Sequence, residues 1–94
     1  MSVAQEYAET IGLKALTWLA CNEELLPVFL GATGASEADL KARLGEAEFL
    51  GSVLDFILMD DAWVQGFCEA EGLSYDAPMK ARMALPGGQE VNWT

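Results

Sequence analysis

The sequence contains no histidine. That removes the one side chain that ordinarily titrates near neutrality, the Ser–His and Cys–His pairs of nucleophilic catalysis, and the commonest transition-metal ligand. Basic residues are scarce, with 5 Lys and Arg against 15 Asp and Glu and a formal net charge of −10. Nucleic-acid binding relies on Lys and Arg to neutralise phosphates, so no nucleic-acid partner is expected, nor an anionic membrane surface. A basic partner, or an uncharged one, fits better; the plainer reading of the charge is solubility. The only two cysteines, Cys21 and Cys68, form neither a CxxC pair nor a disulfide framework, and both read as reduced, partly buried thiols. Long apolar runs are missing as well. The longest, residues 53–59, is interrupted by Asp55 and is far too short to span a bilayer. Residues 1–6 have neither a basic nor an apolar signal-peptide region, and a cytoplasmic location is expected by default.

What is present suits one small domain. The chain has 94 residues, and a chain of this size buries roughly 60–70% of the surface it exposes when unfolded. Apolar residues make up 52%, although 14 of them are alanine. The mean hydropathy of +0.19 is high for a soluble monomer. It points to apolar surface covered by a protein partner, a homodimer being one form of this.

The apolar spacing is helical throughout. Ala4, Ala8, Ile11, Ala15 and Trp18 recur every three or four residues, widened by Tyr7 and Leu19, and predict a first helix over 3–20. Asn22 reads as the cap of a second helix with Leu25, Leu26, Phe29 and Leu30 inward and Gly34 as its stop; Pro27 falls near its first turn. Ser36 and Asp39 form a variant capping box for a third, with Leu40 and Leu44 inward and Gly45 at its end. A fourth helix over 46–59 is apolar almost all round, apart from Gly51, Ser52 and Asp55, and is expected to be the most buried. Asp60 or Asp61 caps a fifth, with Trp63, Val64, Phe67 and Cys68 inward and Gly72 as its stop. A sixth begins near Asp76 with Pro78 in its first turn, carries Met79 and Met83, and stops before Pro86. The fold class is therefore all-α, a compact bundle of about six short helices over residues 1–88, followed by a tail at 89–94.

The chain also reads as an internal repeat. Phe29 and Phe67 stand 38 residues apart (67 − 29), and the same offset pairs Leu16 with Leu54, Asn22 with Asp60, Leu26 with Val64 and Gly34 with Gly72. One inserted residue then pairs Leu40 with Met79, Lys41 with Lys80, Arg43 with Arg82 and Leu44 with Met83. Two pseudo-symmetric three-helix units, at 3–45 and 46–85, sharing one core are the expectation. The bland alternative is that two capped, alanine-rich helix sets align this well by composition.

With the repeat goes a Leu85-Pro86-Gly87-Gly88 ending. Through segments 11–22, 25–34, 49–60 and 67–85 the chain resembles a small alphaproteobacterial family known as domain of unknown function 3572. These motifs are mainly structural. The resemblance implies an all-helical fold and a bacterial cytoplasmic protein, and it implies no activity.

Chemistry finds little purchase. Glu23, Glu24, Asp60 and Asp61 are accounted for by capping and by the helix dipole. Asp55, if buried, would need a partner such as Lys14. The Asp60–Asp61 pair lacks a calcium-loop spacing. Gly87-Gly88 has no strand before it and does not cradle a phosphate. Trp18 and Trp63 lie on apolar stripes and read as core. No catalytic residue, cofactor or metal site is assigned, and the protein is not expected to be an enzyme.

Five residues remain as contact candidates. Lys41, Arg43, Lys80 and Arg82 occupy matching repeat positions. They either compensate helix C-termini or converge into one basic spot for an anion or acidic peptide. Trp93, in a polar tail, either docks back onto the domain, packs on a second copy or anchors a partner. The leading expectation is a non-catalytic protein–protein interaction module. The alternative is a small-molecule or anion-binding domain with its site at the junction of the two units.

Overall fold

Local chemistry sets most helix boundaries. A computed structural model of the chain describes residues 3–85, and among these it forms six α-helices and no strand. They are α1 (Val3–Ala20), α2 (Leu25–Thr33), α3 (Glu37–Ala42), α4 (Ala47–Leu58), α5 (Asp61–Glu71) and α6 (Ala77–Met83). Asn22 Oδ1 accepts from the backbone N–H groups of Glu24 and Leu25, each at 3.1 Å, and so satisfies two amides at the start of α2 that have no partner within the helix. Ser36 and Asp39 form a reciprocal capping box on α3. Asp60 accepts from the Ala62 N–H at 2.8 Å to start α5. Gly34 (φ 73) and Gly72 (φ 71) end α2 and α5 in the left-handed conformation, which glycine adopts without strain. α3 stops at Ala42, three residues before the expected Gly45, and a turn carries the chain into α4.

All six helices contribute to one core cluster. α4 is its centre, with Phe49, Leu50, Gly51, Val53, Leu54, Phe56 and Ile57 buried. α1 packs along it, and the two come close at Gly12. A Cβ at Gly12 would stand 2.8 Å from Leu50 Cβ, so only glycine permits this approach. α6 packs on both α1 and α4 through Ala77, Pro78 and Ala81. Phe29 is fully buried and meets Phe56 edge-on at 5.3 Å, while Phe67 meets Trp18 edge-on at 5.9 Å. Trp63 stacks on Phe56 at 4.7 Å. Each such aromatic pair adds about 0.5–1.5 kcal/mol beyond the burial of its surface.

Several side chains differ from the sequence expectation. Tyr7 is 53% exposed and Leu44 44% exposed, so neither faces the core. Cys21 is exposed rather than partly buried, whereas Cys68 is buried. Asp55 lies at the surface, and its partner is Arg82 rather than Lys14. The helices α3 and α6, aligned by the repeat, use different faces. Leu40 is buried, yet its counterpart Met79 is 57% exposed; Ala81 is buried, yet its counterpart Ala42 is exposed. The reason is steric. Alanine and proline let α6 lie close against two helices at once, whereas α3 is six residues long and inserts only Leu40.

Candidate functional site

The shortness of α3 leaves a trough beside it. Because Leu40 is the only buried residue of α3, the helix stands off from α1 and an open groove of about 430 Å³ runs between them. Leu16 and Ala20 of α1 form its floor, and Leu26, Leu40 and Leu44 line it from α2, α3 and the following turn. Its polar margin holds Thr17, Cys21, Glu37 and Lys41. Thr17 Oγ1 donates to the Leu13 carbonyl at 2.9 Å, so its methyl group is the part left for the groove. The groove belongs to the first three helices. At the seam between the ends of α1 and α5 lies an adjoining and more polar depression, which shares Thr17 and Cys21 with the groove and is lined also by Trp18, Asn22, Glu23 and Glu71.

The basic candidates are mostly engaged with individual carboxylates. Arg43 Nε donates to Glu46 at 2.9 Å, and its guanidinium lies 4.7 Å over the Phe49 ring. Lys80 Nζ donates to Asp76 at 2.9 Å, and Arg82 Nε donates to Asp55 at 2.6 Å. Lys41 lines the groove. Arg43 is thus held at the start of α4 and Arg82 further along it, while Lys80 stays with its own helix. Trp93 and the Gly87-Gly88 pair lie outside the described residues.

The shifted titrations follow from local contacts. Burial pushes the Cys68 thiol up, with help from Asp76 and Glu69, and its Sγ donates to the Ser74 carbonyl at 3.3 Å. Such a thiol is protonated and unreactive at neutral pH. Tyr75 donates to Glu69 and is raised by that bond. The Ser74 hydroxyl and the Lys80 ammonium lower Asp76, and Asp76 in turn raises Lys80. These shifts belong to the turn between α5 and α6, away from the groove. Among the described residues no three Cys, Asp or Glu side chains are grouped so as to hold a metal ion. No helix among them is long and apolar enough to cross a membrane.

Sequence reasoning found Leu40 and Leu44 but placed both in the core. The spacing carried the helix on to Gly45 and so gave no signal for a groove; α3 ends at Ala42, which seats Leu40 deeply and leaves Leu44 in the turn after it, at the rim.

Among the described residues the fold and the groove define a small all-α domain with an open apolar trough. The chain belongs to the family described as "Protein of unknown function (DUF3572)", whose model matches residues 5–88. No curated protein and no solved structure matches the chain.

Proposed function

We propose that the chain is a non-catalytic protein–protein interaction module, acting in the cytoplasm, and that its partner occupies the groove between α1 and α3. One observation carries this reading. Leu44 remains 44% exposed at the rim of a leucine-lined trough, although the core is already complete without it. Apolar side chains grouped around a concavity are the usual mark of a protein or ligand contact, and leucine rows suit an apolar helix face. The carboxylates in the seam depression count against an anion there, so the alternative of an anion site at the junction draws no support from that place.

The test is capture by the full chain and by a Leu44→Asp variant. Because Leu44 is exposed, the variant should unfold within about 0.5 kcal/mol of the parent. It should lose its specific partner. Equal recovery of that partner by both proteins would sink the proposal.

A further inference from the structure

The surroundings of the groove narrow the chemistry of the partner. At the end of α1 the groove shares Thr17 and Cys21 with the seam depression, which has a volume of about 470 Å³ and presents Glu23 and Glu71. Two helices end there, α1 at Ala20 and α5 at Glu71, and neither has a basic residue in its last turn. A helix C-terminus carries roughly half a negative charge, so Glu71 reinforces the end of α5, while Glu23 stands just before the start of α2 at Leu25 and more than offsets the half positive charge of that end. Lys14 lies 3.6 Å from Glu71, but that pair is solvated and weak. Within the trough, Glu37 and Lys41 contribute one charge of each sign. The resulting surface is an apolar channel that opens at one end onto negative potential, on a chain of net charge −10. A second copy would approach with the same excess of negative charge.

We infer that the groove receives a basic amphipathic helix of another protein. Leucine-class side chains one turn apart lie between α1 and α3, and flanking Lys or Arg side chains reach Glu23 and Glu71. The inference rests on the interaction-module reading and adds the partner's shape and sign. Charge complementarity of this kind speeds encounter, selects against acidic helices and weakens with salt.

The experiment titrates the full chain with three labelled synthetic helices of about four turns each. One has a leucine face and Lys/Arg flanks, the second the same face with Glu flanks, and the third Lys/Arg flanks with a serine face. Fluorescence anisotropy is read at low and at high salt. The first helix should bind at least about tenfold more tightly than either other, and its affinity should fall as salt rises. Leu44→Ser, and separately the Glu23→Gln/Glu71→Gln double variant, should each weaken it about fivefold or more, with Tm and circular dichroism unchanged. Equal binding of the Glu-flanked helix, lost in Leu44→Ser, overturns the basic-partner inference and leaves the interaction module standing. Binding of the Lys/Arg helices regardless of Leu44 overturns the inference as mere charge attraction. Self-association through Leu44 with no helix bound replaces the partner by a second copy. No binding by any helix from a monomeric chain overturns both readings.

Discussion

Arg82 on α6 donates its Nε hydrogen to Asp55 on α4 at 2.6 Å, joining two helices 27 residues apart in sequence. The arginine side chain is only 16% exposed and the carboxylate 56%. The arginine stem therefore lies against the protein while the pair opens to water. Solvation limits what such a pair contributes. A double-mutant cycle on Arg82→Ala and Asp55→Ala should give a coupling of about 0.5–1 kcal/mol from urea midpoints. Arg82→Ala alone should cost more than Asp55→Ala, because it also removes packed methylenes.

Two glycines should respond with opposite signs. A Cβ at Gly12 would meet Leu50 Cβ at 2.8 Å, and neither α1 nor α4 can shift without disturbing the core. Gly12→Ala should destabilise by about 1–3 kcal/mol despite the better helix propensity of alanine. At Gly31 in α2 a Cβ meets nothing within 4 Å. Gly31→Ala should stabilise by about 0.4–1 kcal/mol. Thermal unfolding of the two variants beside the parent decides both, and a gain in Gly12→Ala would show that the helices are not in close contact.

The cap of α5 is a separable local term. Asp60 supplies the side-chain bond to Ala62 at the start of that helix. Asp60→Ala should cost about 1 kcal/mol, and Asp60→Asn much less, because asparagine caps almost as well. Equal losses in the two variants would mean that charge rather than capping is what matters there.

Alkaline pH should weaken the fold through Cys68. Its folded thiol is raised above the ordinary value by burial. Below the ordinary thiol value, about 8.5, folded and unfolded states are both protonated and the contribution is fully present. Above it the unfolded chain loses the proton first, so stability falls until pH passes the folded value. Cys68→Ala should lower stability overall yet flatten the decline that begins near pH 8.5. Denaturant midpoints between pH 7 and pH 10 test this, and an unchanged slope in the variant would remove Cys68 as the cause. With no histidine in the chain, no side chain has its ordinary titration between about pH 5 and 8.

By itself the sequence determined the local features. The span of α1, the caps at Asn22, Ser36 and Asp60, and the stops at Gly34 and Gly72 all come from interactions within a few residues, so residue type and spacing carry them. The burial of α4 was legible too, because a helix apolar almost all round has nowhere to go but the centre. Tertiary packing decided the rest. Leu44 and Met79 have apolar spacing but lie at the surface; which face of a two-turn helix is covered depends on how closely its neighbours approach. Ala77 and Ala81 let α6 approach closely, while α3 inserts Leu40 alone and stands off. The same three-dimensional arrangement gave Asp55 to Arg82 and Lys14 to Glu71. The groove arises there, because a cavity between helices is set by the distance between their axes, a quantity that no single segment of sequence encodes.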